Sequence, residues 1–438
     1  MDTSPGTLLK LLVAQKAWRY RDFAAAFERT AAKAGLRSLT VSEAQFRRWT
    51  SGRVKTLPTP DACRVLEALF GTEAVSLFAE PPRSVPTTVP TAYEIESEIA
   101  MTARDAADEA GTAAAQSVSD TTIDQLRDDV TILADTYAIT APFDVFRKAK
   151  GLRQDAEYHR GATQVPAQQQ ELLILAGQAC ALLSTAAFDL GALDDSTRLA
   201  RSAALYGETA RFDPLRAYAT GSLAIVAYFT GRPSEAVRHA RSALAYGGLG
   251  DAGRRRLLSI AARAHAHLGD GEQADRATTA AAQLDTNTRD DLHDGVGGEF
   301  AFDEERLVMS AATTALLTGN GPQAEAQARR ALHLVAERPP ARQSATVRAK
   351  ASADLAAALL KRGELEAAAE ALTPVWDLPG DRRSSGLLDR VTTLRTALTT
   401  PSMRTTPVAL DLGERIEDYS RRSAHTRLTT RRNRAIEP

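Results

Sequence analysis

Residues 39–55, LTVSEAQFRRWTSGRVK, gather three arginines and a lysine beside a glutamate and a glutamine. The stretch carries its own helix signals. The Ser42 hydroxyl can accept a bond from a backbone N–H two or three residues on, and Gly52 takes the left-handed conformation that a branched residue resists. Phe46 and Trp49, three apart, share a face and should anchor the helix to a core. Glu43, Ala44, Gln45, Arg47 and Arg48 then fall on the opposite face, and Arg53 and Lys55 follow before the next acid, Asp61. Arginines presented in this way can hydrogen-bond base edges or phosphates, and a good bidentate base contact is worth ~1–3 kcal/mol of discrimination.

Other constellations point away from catalysis. His265 and His267 are two apart, which on a helix turns them about 200° from each other and denies them a shared metal ion. Gly295, Gly297 and Gly298 form a glycine cluster, yet no strand pattern precedes it and no Lys-Ser/Thr pair follows, so it reads as a long loop and not a phosphate cradle. Cys63 and Cys180 lie in separate apolar helical patterns without metal or redox spacing, and read as buried thiols of a reducing cytoplasm. No nucleophile elbow or zinc-protease motif occurs, and paired carboxylates such as Asp194 and Asp195 sit at turns. The expectation is a protein that is not an enzyme, with no cofactor and no metal.

The elements that must position these groups are helices. The chain has 438 residues, 44% apolar and only 5% aromatic. Its apolar share is dominated by alanine, which favours close helix-on-helix packing and an all-α fold, and at about 100–200 residues per domain the length implies two or three units. The formal net charge of −1 is unevenly spread. Residues 1–80 carry 12 Lys/Arg against 8 Asp/Glu, a balance of +4, and residues 91–130 carry 2 against 10, a balance of −8. A basic head is compatible with a polyanion partner. No basic-then-apolar signal pattern opens the chain. The longest uncharged run, 172–188, falls just short of the ~18 residues of a membrane span and reads as a buried helix, so no membrane is implied.

Residues 1–78 are expected to form the first domain, with stripes at Leu8, Leu9, Leu12 and Val13 and at Phe23, Phe27 and Ala31, the second helix ending at Gly35. Beyond the basic helix, Thr59 is suited to cap, Pro60 to begin and Gly71 to end a helix that buries Val65, Leu66, Leu69 and Phe70. Four short helices with the third one basic make a helix-turn-helix pattern. The run from Val41 to Gly52 resembles the capped third helix of lambda-repressor-like, Xre-type DNA-binding domains. That resemblance implies that Ser42 caps beside the phosphate backbone and that Glu43, Ala44, Gln45, Arg47 and Arg48 face the groove.

Residues 79–92, with Pro81, Pro82, Pro86 and Pro90, read as a semi-rigid linker. Residues 93–170 read as connecting helices at 93–116, 123–137 and 142–160. From 171 to 400 a four-point spacing recurs: a small residue, Gly seven on, Ala five further, Ala seven further. It occurs as Ala224-Gly231-Ala236-Ala243, Ala262-Gly269-Ala274-Ala281, Ala312-Gly319-Ala324-Ala331 and Ala356-Gly363-Ala368-Val375, with a weaker copy Ser184-Gly191-Ser196-Ala203. Each Gly ends one helix, and the small residues let paired helices approach closely. The pattern resembles tetratricopeptide repeats, although its Gly-to-Gly intervals of 40, 38, 50 and 44 exceed the usual ~34. In that family the first helix of each pair lines a concave groove. Carried onto this chain, the lining is Gln178 and Thr185; Tyr218, Tyr228 and Phe229; Arg256, Arg263 and His267; Arg306, Met309 and Thr313; and Lys350 and Lys361. Such a groove is aromatic at one end and cationic in the middle, suited to a peptide or a small anionic ligand. The alternative is that its arginines pair with acids of adjacent helices.

Residues 401–438 form a mixed C-terminal segment, and its end carries six arginines from Arg421 onward with one acid, the composition of a flexible basic arm. Together with the segments at 297–307 and 363–398, the chain resembles actinobacterial regulators that join a divergent Xre-type domain to degenerate tetratricopeptide repeats. The resemblance implies a cytoplasmic, homodimeric transcription regulator that binds an operator of unknown sequence and is controlled by a ligand, peptide or partner in its repeats. A peptide-pheromone receptor is one form of that reading. The other is an interaction adaptor that no longer binds DNA, which Glu43, the modest basicity and the long segment before Ser42 favour.

Overall fold

The computed structural model describes residues 7–16, 18–51, 54, 56–80, 92–115, 117–285, 287–401 and 403–421. Those residues form helices, turns and loops and no strand. Gly52, Arg53 and Lys55, most of the proline-rich linker and the basic arm beyond Arg421 lie outside them. Contacts divide the chain into two compact units, residues 1–105 and 106–438.

In the first unit α1 (Leu8–Gln15), α2 (Tyr20–Lys33), α3 (Glu43–Thr50), α4 (Pro60–Phe70) and the single turn α5 (Ala74–Leu77) surround one core. Leu9, Phe23, Phe27, Val65, Leu66 and Leu77 are fully buried in it. The anchor expected on α3 forms: Trp49 is 5% exposed and half-buried Phe46 packs its ring 4.9 Å from that of Phe23. Two long-range bonds hold the helix in place, from Thr7 Oγ1 to the Trp49 carbonyl and from the Tyr20 hydroxyl to the Val41 carbonyl. Gly35 and Gly71 take positive φ, 79° and 65°, as helix stops do. Thr59 precedes α4 without a side-chain capping bond, so Pro60 alone sets that start. The turn α5 was not foreseen; Glu67 builds it by accepting the Ala74 N–H at 2.8 Å.

Helix α6 (Ala92–Ala115) crosses the division between the units. The second unit is a stack of antiparallel helix pairs. These are α9 (Pro166–Asp189) with α10 (Leu193–Thr209), α11 (Asp213–Phe229) with α12 (Pro233–Leu244), α13 (Asp251–His267) with α14 (Gly271–Gln283), α15 (Glu304–Leu317) with α16 (Gly321–Glu337), and α17 (Ala345–Lys361) with α18 (Leu365–Ala371). The five periodic glycines all take φ between 73° and 83° in the turn inside each pair. Every other position of the five copies is at most 1% exposed. The weak copy has its own physics: Ser184 and Ser196 each donate to the other's backbone carbonyl, at 2.9 and 2.8 Å, so a buried hydroxyl pair replaces an alanine contact.

Both ends of the stack are closed by helices. Before the first pair, α7 (Asp120–Asp135) and α8 (Pro142–Ala162) bury Ile123, Leu126, Val130 and Ala156 against Leu172, Leu175 and Ala176 of α9. After the last, the turn α19 (Thr373–Trp376), α20 (Ser385–Leu398) and α21 (Pro407–Arg421) complete the largest core, so the segment beyond residue 401 contains an ordered helix that its mixed composition had hidden. Helix α9 is long and apolar enough to cross a membrane, but 72% of its most apolar window is buried inside the protein. The stack also bends back on itself. Gly386, at the start of α20, sits so close to Phe188 of α9 and Phe229 of α11 that a β-carbon there would touch both rings, at 3.8 and 3.7 Å.

Candidate functional site

The return of α20 to the first pairs bounds a half-open cavity of about 200 Å³ in the second unit. The first helix of each pair supplies its wall, and Tyr218, Tyr228, Arg256, Arg263, Arg306 and Lys350, all named from the sequence, meet there, with Thr185, Phe229 and Met309. Gln178 does not; it is 4% exposed inside the stack. His267 is one turn too far along α13, exposed, and stacks on Tyr228 with ring centroids 5.2 Å apart. Thr313 bonds to Asp354 and Arg390, and Lys361 donates to the Leu316 carbonyl at the end of α15. Neither lines the cavity.

The cations of the wall differ in what they touch. Arg306 is committed: it reaches Glu299 Oε2 at 3.1 Å and donates to the carbonyls of Glu299 and Ala301. Burial pulls its guanidinium down, but Glu299 and Asp303 outweigh that and hold it above the ordinary value. Arg390 is held by Asp354 at 3.0 Å. Pairing with acids therefore accounts for these two. Arg256, 8% exposed, pairs with no carboxylate among the described residues; it lies 3.9 Å over the Tyr218 ring and donates to the Tyr218 carbonyl and Ser222 Oγ. Burial lowers its pKa, though a guanidinium stays charged at any physiological pH.

Arg263 and Lys350 are freer still. The Arg263 guanidinium stands 5.5 Å over the Tyr228 ring, and its Nε is buried without a hydrogen-bond partner. Half-buried Lys350 makes no hydrogen bond or ion pair among the described residues; burial pulls its ammonium below the ordinary value, with Asp189 opposing. Asp189 accepts a 2.9 Å bond from the Tyr137 hydroxyl, and burial pushes its carboxyl up.

One side of this wall is a loop, residues 284–303, that the glycine cluster marked only as a connection. It contains a π-helical turn, Asp291–Val296. Asp290 accepts from His293 Nδ1 at 2.9 Å and from the Gly250 N–H at 2.8 Å. Burial raises the Asp290 carboxyl, but its bonds to His293 prevail and hold it low. Phe300, fully buried, meets the Tyr218 ring edge-on at 4.9 Å. Gly298 has φ 58°, and a β-carbon there would lie 2.4 Å from the Ala134 backbone, so only glycine lets the loop approach so closely. The Asp290–His293 pair, three residues apart, was a local signal in the sequence. The loop's place beneath Tyr218 had none.

On α3 the expected outward face is partly occupied. Gln45 closes a capping box: its Oε1 accepts the Ser42 N–H at 2.8 Å and the Ser42 Oγ accepts the Gln45 N–H at 3.3 Å. Gln45, expected on the outward face, thus also takes part in the N-terminal cap of α3. Arg47 forms an ion pair with Glu43 one turn back. Arg48 and Ala44 are exposed. The free thiols divide as well: Cys180 is buried with its pKa pushed up by burial to about 11, while Cys63 is half-buried. Among the described residues no cluster of His, Cys, Asp or Glu could hold a metal ion. No protein-family model matches the chain, and no curated protein shows significant similarity to it.

Proposed function

We propose that this protein is a cytoplasmic, dimeric transcription regulator whose first unit binds DNA through α3 and whose helical stack holds an anionic effector that controls it. The observation that carries the effector half is the cavity, where Arg256, Arg263 and Lys350 converge without a carboxylate partner. Unpaired buried charge costs stability and concentrates at functional sites. The DNA half rests on the resemblance of residues 41–52 to Xre-type domains, on the secure anchor of α3 and on exposed Arg48. A head of modest positive charge binds weakly alone, which is why a dimer spanning two half-sites fits it.

Fluorescence anisotropy of the full chain with pooled genomic fragments tests the DNA half. Salt-sensitive binding that weakens in Arg48→Ala is expected; its absence both in purified protein and with cell extract added would sink the proposal. A second reading, an adaptor without DNA affinity, is favoured by one feature of α3. With Gln45 turned into the cap and Arg47 paired with Glu43, three of the five outward side chains are engaged within the helix.

A further inference from the structure

We propose that the cavity is the receptor site for a small organic acid, its carboxylate or phosphate held by Lys350 and Arg263 and its apolar body laid against Phe188 and Phe229. The proposal rests on the effector reading above and narrows it from anions in general to one size and shape.

Size comes first. A cavity of about 200 Å³ lies below the ~300–1,000 Å³ typical of drug-sized sites. An extended peptide needs a groove that runs along the stack, and here the concave side is interrupted where Gly386 closes on Phe188 and Phe229. A compact ligand fits that half-open space.

Charge comes second. Of the cations in the wall, Arg306 and Arg390 are neutralised by Glu299 and Asp354, and Arg256 is fixed on Tyr218 and Ser222. Arg263 Nε is buried without an acceptor, and Lys350 and Arg382 make no side-chain hydrogen bond or ion pair among the described residues; all three line the same space. Asp189 does not complete Lys350, with which it forms no ion pair among the described residues, and it is already bonded to Tyr137. Unsatisfied cationic donors call for an acceptor-rich anionic group, for which carboxylate and phosphate are the common chemistries.

Shape comes third. Phe188 and Phe229 meet edge-to-face with centroids 4.9 Å apart, and Ile225, Val226 and Met309 extend the same apolar wall. A bare inorganic ion would leave that wall in contact with water. An acid with a single ring or a short branched chain covers it, and the buried apolar area adds to the charge-assisted bonds.

Calorimetric titration of the full chain with phenylacetate, phenyl phosphate, inorganic phosphate and a ten-residue glutamate-rich peptide decides the matter. Phenylacetate or phenyl phosphate should bind, and whichever binds more tightly identifies the anionic group. Inorganic phosphate should bind at least about tenfold more weakly than phenyl phosphate. Lys350→Met should weaken the favoured acid about tenfold with no fall in the melting temperature, and Lys350→Arg should restore part of the loss. Binding of the peptide but of neither aromatic acid would overturn the proposal and leave the effector reading standing. Binding of no anion at all would remove both. Unchanged affinity in folded Lys350→Met would overturn the assignment of Lys350.

Discussion

Arg47 and Arg256 carry the same guanidinium in opposite surroundings. On α3, Arg47 is 76% exposed and pairs with Glu43; water already solvates both charges, so the pair adds only a few tenths of a kcal/mol. On α13, Arg256 is 8% exposed and has an aromatic face, a carbonyl and a hydroxyl as its partners. At the surface pairing hardly alters stability, and a charge can be left free at no cost. In the stack each charge must be compensated or it destabilises the fold. The contrast explains why an unpaired cation demands an account in the cavity and none on α3, where water solvates it.

The largest effect should come from removing a compensated charge. Arg306→Ala strips Glu299 and two loop carbonyls of their donor, and breaking such a pair costs about 3 kcal/mol or more. Urea denaturation should show that loss, and faster hydrogen exchange over residues 287–303 should accompany it. A loss of only a few tenths would mean that the loop is not held by Arg306.

An uncompensated charge should behave oppositely. The folded pKa of Lys350 lies below its unfolded value. Its contribution to stability is therefore fully present above the unfolded value of ~10.4 and is lost as pH falls through the lowered folded value. Lys350→Met should then be at least as stable as the parent at pH 7, with a gain on the order of 1 kcal/mol, and should flatten the rise of stability with pH on the alkaline side. Melting curves from pH 6 to 10 read both. A clear loss of stability at pH 7 would show that Lys350 has a structural partner.

The smallest effect belongs to the surface. Glu43→Gln should change stability by less than about 0.5 kcal/mol yet raise DNA affinity, because it frees Arg47 and removes a like charge facing phosphate. If DNA affinity were unchanged or lower in that variant, α3 would not be the face that meets DNA.

Much of this architecture is legible in residue spacing. Gly231 and its four counterparts, with the alanines at fixed distances, mark the pairs because a left-handed stop and a close helix contact are demanded locally, within one hairpin. Ser42, Phe46 and Trp49 are legible for the same reason. The cavity was half visible: Tyr218, Arg256, Arg263 and Lys350 lie on the first helices of their pairs, where a repeat rule places them. Gln178, His267, Thr313 and Lys361 obey the same rule but stand outside the cavity, since which side chains reach it depends on how neighbouring pairs rotate.

The amino-acid sequence by itself determined an all-α chain, a capped and anchored α3, and a run of helix pairs, because capping, helical periodicity and small-residue contacts act over a few residues. Only the tertiary structure decided which cations are spare. Arg306 and Glu299, Arg390 and Asp354, and Phe188 and Gly386 come together through the bending of the whole stack, and the loop at 284–303 is pressed beneath Tyr218 by contacts from distant helices. Electrostatic compensation depends on distances between residues far apart in the chain. Those distances are set by the accumulated rotation from one pair to the next, which no local pattern records.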